Sequence, residues 1–106
     1  MSTIKKKQHM TAIIYDKRGH VLSIGQNSYI KTHPYQKKIA NRVGYPDKIY
    51  LHAEISAIIR CKDLKKAHSI FISRYNENGD PMNAKPCIVC QEAIKLAGIK
   101  NIRYTV

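Results

Sequence analysis

A chain of 106 residues at 12.1 kDa has room for one core and buries about two-thirds of the surface it exposes when unfolded. With 43% apolar and 25% charged residues its usage is globular, which excludes a disordered tail or a membrane-embedded chain. Nineteen Lys and Arg against seven Asp and Glu leave a net charge of +12, so a phosphate-bearing partner or substrate is the first expectation, with solubility alone as the bland cause.

Lys5, Lys6 and Lys7 near the start are followed by no apolar stretch of signal-peptide type. Cys61, Cys87 and Cys90 are too few and too unevenly spaced for a secreted disulfide framework. No apolar run is long enough to cross a bilayer. A soluble cytoplasmic protein without membrane contact is expected, with residues 1–106 forming one domain.

From His9, the β-prone runs Met10–Tyr15 and Val21–Gly25 flank the polar turn Asp16-Lys17-Arg18-Gly19 and predict an antiparallel hairpin. Residues 26–50 are polar, rich in Lys and Tyr, and interrupted by Pro34, Gly44 and Pro46. They read as a long functional connection with a short helix around Lys37–Val43. Apolar Ile55, Ala57, Ile58, Ile59 and Cys61 suit a buried helix of about three turns from His52. Ser69–Ser73 is a short apolar strand, and Asn78-Gly79-Asp80-Pro81 sets a loop over Tyr75–Lys85. A second helix starts at Pro86 and ends at Gly98, and Ile99–Val106 supplies the last strand. Helical crossovers between the later strands predict parallel pairing.

The chemistry lies in His52-Ala53-Glu54 and Pro86-Cys87-Ile88-Val89-Cys90. Two cysteines three apart at a helix start share one face, and the positive helix end favours their thiolates, the metal-binding form. His52 completes a His, Cys, Cys set, and three protein ligands leave the fourth position of a tetrahedral Zn²⁺ open, as catalysis requires. Residues two apart in a helix point about 200° from each other. His52 and Glu54 therefore face one ion only if His52 sits at the helix entrance, before helical geometry begins. A structural zinc site short of one ligand, or two buried cysteines beside a capped helix, are the plainer alternatives.

The pattern H-x-E followed by P-C-x-x-C is that of zinc-dependent nucleobase deaminases. From about Thr11 to Val106 the chain resembles the cytidine and deoxycytidylate deaminase superfamily. The resemblance includes the hairpin ending in Gly25-Gln26-Asn27, Cys90-Gln91-Glu92-Ala93-Ile94, and Ala97-Gly98-Ile99. The last of these and His52 as first ligand look like the deoxycytidylate and tRNA-type branches.

The resemblance implies an α/β fold with a mixed sheet of about four strands, an antiparallel hairpin and then parallel strands, with the zinc ligands on helices. It implies Zn²⁺ on His52, Cys87 and Cys90, and Glu54 as proton shuttle for hydrolytic loss of the amine at C4 of cytosine or C6 of adenine. Asn27 would contact sugar or base, backbone at Ala53 and near Pro86 would hold the polar edge of the base, and Ser73 and Arg74 are weaker contacts. Relatives usually add a helix before the hairpin and elements after the fourth strand. A sheet without them has one thinly covered face, so a homo-oligomer is expected.

Cys61, on the apolar helix face, reads as core. His33 either reaches a phosphate at the mouth of the site or is a solvated loop residue, and His9, His20 and His68 carry no chemical signal. The connection interleaves Tyr29, Tyr35, Tyr45 and Tyr50 with Lys31, Lys37, Lys38, Arg42 and Lys48. That mixture suits a nucleotide or single-stranded nucleic acid, or a merely soluble loop. The expected substrate is a cytosine nucleotide or nucleoside, deoxycytidylate first. The alternatives are cytosine or adenine in single-stranded DNA or RNA, and a non-catalytic zinc-stabilised nucleic-acid-binding module.

Overall fold

The β1 strand, His9–Tyr15, turns at Asp16 into β2, Val21–Gln26, and the two pair antiparallel. The turn closes on one side chain: Asp16 Oδ1 accepts from the backbone N–H groups of Arg18 and His20 at 2.9 and 2.8 Å. The computed structural model describes residues 9–28 and 30–106. Lys5–Lys7 and Tyr29 lie outside them.

Beyond the hairpin come α1 (Pro34–Arg42), α2 (Ala53–Arg60), a 3₁₀ turn (Leu64–Lys66), β3 (Ser69–Tyr75), α3 (Ile88–Leu96) and β4 (Asn101–Tyr104). The sheet order is β2-β1-β3-β4. β3 pairs antiparallel with β1, and β4 pairs parallel with β3. β2 and β3 thus point the same way but are separated by β1, because the α1–α2 crossover passes over it. The mixed four-stranded sheet with its helices is the α/β architecture expected for the deaminase fold.

Alternation along the strands decides which face is covered. Ala12 and Ile14 of β1 and Ile70 and Ile72 of β3 are fully buried beneath the helices, with Ile55 of α2 and Val89, Ala93 and Ile94 of α3 packed on them. α2 lies against β2 so closely that glycine is required there: a Cβ on Gly25 would stand 2.2 Å from Ala57 N and 2.5 Å from Ala53 O. Ser23 Oγ fastens the same contact by donating to Ala57 O at 2.8 Å.

Several element ends differ from the sequence expectation: β3 runs on to Tyr75, and β4 is confined to Asn101–Tyr104 instead of filling 99–106. α2 is eight residues, little more than two turns, because the chain leaves helical geometry at Cys61 (ψ 109°) and folds the thiol into the core. α1 begins at Pro34, with His33 as its N-cap. Pro86 precedes the N-cap of α3, Cys87, instead of opening the helix, and its carbonyl accepts from Gln91 Nε2 at 2.8 Å. Gly98, at φ 78°, ends α3 in the left-handed conformation that glycine tolerates, and Ile99 N–H returns to Ile94 O at 3.3 Å. Among the described residues no helix is long and apolar enough to cross a membrane.

Candidate metal centre

The tips of α2 and α3 meet where β2 and β3 end. His52 is the N-cap of α2, with φ −85° and ψ 155°. Its extended backbone turns the imidazole toward α3 while Glu54, in the first turn, is buried at 2% exposure. The approach to His52 is fixed by Ser28 N–H to Leu51 O at 2.8 Å and Leu51 N–H to Lys31 O at 3.0 Å. Cys87 caps α3, and Cys90 stands one turn in and is buried.

His52 Nδ1 lies 3.2 Å from Cys90 Sγ and 3.5 Å from Cys87 Sγ. All three donor atoms fall within 4.8 Å of one another. Zn–S near 2.3 Å and Zn–N near 2.0 Å at tetrahedral angles put N and S roughly 3.6 Å apart. The spacing and the soft donor set therefore fit one zinc ion, and these residues form a group placed to bind it.

The proton inventory agrees with such a site. The neighbouring Cys90 thiol, then the His52 ring and the Cys90 backbone N–H, hold the Cys87 thiol down at about 3 despite burial. The hydrogen bond to the Cys87 sulfur and then burial push Cys90 well above the usual thiol range. A divalent cation bound here would have to displace the proton that Cys90 holds. Cys87 also raises His52, and burial raises Glu54 above the ordinary carboxylate range.

A cleft of about 390 Å³ opens over the donors and is lined by Asn27, Tyr50, Leu51, Ala53, Glu54, Arg74, Asn83 and Lys85, with His52 and Cys87 in its floor. Asn27 Oδ1 accepts from Met10 N–H at 2.9 Å, which sets the carboxamide at the start of β1. Arg74 Nη1 donates to Asn83 O at 3.2 Å, and its buried Nε has no hydrogen-bond partner among the described residues.

Of the residues expected to touch substrate, Asn27, Ala53 and Arg74 are brought together here, whereas Ser73, Pro86 and His33 are not among those lining the cleft. Ser73 alternates with Arg74 on β3 and shares the opposite face with Phe71. His33 Nδ1 accepts from Tyr35 N–H at 3.0 Å and so caps α1. Sequence reasoning missed Gln36. This side chain, fully buried in α1, accepts from His52 N–H through Oε1 at 3.3 Å and donates through Nε2 to Lys48 O at 3.0 Å. Its available signal was a polar residue at helical spacing from Ile39 and Ala40, on the inward face.

The mixed sheet and the His, Cys, Cys group at two helix tips define a zinc-binding α/β protein of the hydrolytic deaminase type. The family model for the cytidine and deoxycytidylate deaminase zinc-binding region matches residues 2–106, and the chain belongs to that family. No curated protein matches it by sequence.

Proposed function

We propose that residues 1–106 act as one domain that hydrolytically deaminates a phosphorylated cytosine nucleotide, deoxycytidylate first, giving the uracil product and ammonia. The observation that carries this reading is Glu54, a buried carboxyl in the floor of a cleft shared with the metal-binding group. A purely structural zinc site needs no proton carrier there. His52, Cys87 and Cys90 would hold zinc, and the chemistry it would supply is a water nucleophile at neutral pH.

Glu54 does the proton work: its carboxylate takes one proton from the attacking water and gives it to the ring nitrogen beside the amine-bearing carbon, then takes the second from the hydroxyl newly joined to that carbon and gives it to the amine, which leaves as ammonia when the C–N bond breaks. Burial raises its pKa, which makes the protonated form easier to reach and improves the acid half of that cycle. Leu51, Ala53 and Asn27 line the cleft, which supports backbone at Ala53 as a contact to the base and Asn27 as a contact to sugar or base. Arg74 and Lys85 are the cations that line the cleft and suit a phosphate.

A second reading, cytosine or adenine within a single strand, draws on the exposed Tyr50 ring at the cleft, a stacking surface beside Lys85. Homo-oligomerisation belongs to the proposal as well, since Ile59, Ile88 and Leu96 leave apolar side chains exposed on the helical layer.

Ammonia release from cytidine, deoxycytidine, their monophosphates, single-stranded oligonucleotides and tRNA, across a salt series, tests the substrate. The expected result is turnover of the monophosphates, with Arg74→Gln raising their KM about tenfold or more and leaving nucleoside kinetics unchanged. Turnover confined to polymers, falling steeply with salt, would replace the first reading by the second.

A further inference from the structure

The end of the sheet opposite the metal centre carries a concavity that deamination does not use. It forms where β1 runs into the Asp16–His20 turn, where the 3₁₀ turn leads to β3, and where β4 begins. Two adjoining hollows of about 630 and 490 Å³ share Asp16, Lys17 and His68. The first is walled by Lys17, Arg18, Lys65 and Lys66, and the second runs onto the open sheet face at Phe71 and Arg103.

The charge of this groove is largely uncompensated. Its one lining acid, Asp16, spends its carboxylate on the backbone N–H groups of Arg18 and His20 and on the His20 ring. Lys66 has Asp63 at 3.5 Å, but both side chains are exposed and such a pair holds little. No ion pair among the described residues engages Lys17, Arg18, Lys65 or Arg103.

The aromatic side is equally specific. Phe71, the only Phe of the chain, is half-buried on the face that the helices leave uncovered. Its register partner on β4 is Arg103, so ring and guanidinium are neighbours on that face. A ring beside a planar cation, adjoining a hollow lined by four more cations, is the donor set for a base with its flanking phosphates. A flat membrane does not enter a concavity, and the bases of a duplex are not free to reach Phe71.

We propose that this groove docks single-stranded nucleic acid, with phosphates on Lys17, Arg18, Lys65 and Lys66 and a base against Phe71 and Arg103. The inference rests on this surface and not on which base the cleft deaminates. Met10 at the cleft and Tyr15 at the groove stand five residues apart along β1, about 17 Å at roughly 3.4 Å per residue. Changes in the groove therefore leave the metal centre intact.

The test uses the zinc-loaded full chain and a labelled oligothymidylate of about fifteen nucleotides, which offers no amine-bearing base, with binding read by fluorescence anisotropy over a salt series. Replacing Lys17, Arg18, Lys65 and Lys66 together by Gln is expected to weaken binding about tenfold or more and to flatten the salt slope by about 2 to 3. Arg103→Gln and Phe71→Leu each lower affinity about fivefold, Phe71→Leu without changing the slope. Zinc content and melting temperature check that each variant is folded. A charge-matched control, with Arg60, Lys62, Lys95 and Lys100 changed to Gln, binds like the parent, since these exposed residues line neither the groove nor the cleft. Equal loss in both fourfold variants would reduce the effect to overall charge and overturn the proposal. So would displacement by thymidine monophosphate as efficient as by the oligomer, or binding to phosphatidylserine vesicles without binding to the strand.

Discussion

Gly25→Ala places one methyl group between β2 and α2, and its consequences follow from distances. The new Cβ would stand 2.2 Å from Ala57 N, 2.5 Å from Ala53 O and 2.8 Å from Ala57 Cα, where ordinary contact begins at 3.4 Å. All three are backbone atoms, so no side chain can swing aside, and the helix must back away by about 1.2 Å against the Ser23–Ala57 hydrogen bond. Overpacking of this kind costs about 1–3 kcal/mol, and the upper end applies where backbone must move. Restricting the unfolded chain returns only about 0.4–1 kcal/mol. The net loss of about 2 kcal/mol lowers the melting temperature by about 10 °C in a domain near 100 residues.

Because Ala53 is one of the two contact residues, the shift also moves its neighbours His52 and Glu54. A displacement of about 1 Å costs on the order of a hundredfold in rate. Thermal melts by circular dichroism, zinc per chain by elemental analysis and ammonia release together read the effect. Gly98→Ala is the comparison: at φ 78° with nothing within 4 Å, it carries backbone strain of about 1–2 kcal/mol and leaves rate and zinc content alone. A Gly25→Ala protein that melts with the parent and turns over at its rate would refute this account of how α2 is seated.

Glu54→Gln is expected to keep full zinc content while ammonia release falls about 10²–10⁴-fold, and substantial retained turnover would remove Glu54 from the proton path. Zinc affinity, followed by chelator competition between pH 6 and 8, should rise with pH. The reason is the sign of two shifts: Cys90 and His52 both hold their protons more tightly than usual and must release them to bind metal, so affinity gains about tenfold per pH unit for each proton lost. A flat profile would contradict that. Gln36→Leu keeps the volume but strands His52 N–H and Lys48 C=O, costing about 1–3 kcal/mol each if they stay buried. Weaker zinc binding together with a lower melting temperature is the expected signature, and an unchanged zinc affinity would show that Gln36 does not position His52.

The metal-binding group was legible in the sequence because it depends on local geometry. Cys87 and Cys90 are one turn apart, and a histidine two residues ahead of Glu54 has to stand at a helix entrance, which is where His52 is found. The hairpin was legible for the same reason, since its apolar alternation and turn residues all lie within neighbouring positions.

The walls of the cleft were not legible in this way. Ser73 and Arg74 are equivalent by sequence, yet adjacent strand residues point to opposite faces, and pairing of β3 with β1 and β4 turns only Arg74 toward the metal centre. His33 looked free to meet a phosphate until α1 began at Pro34 and took its ring as a cap. Gln36 meets His52 only because α1 folds back over the approach to it. The chemistry follows from spacing along the chain, whereas the surroundings of that chemistry follow from which face each distant residue presents once the sheet has chosen its order.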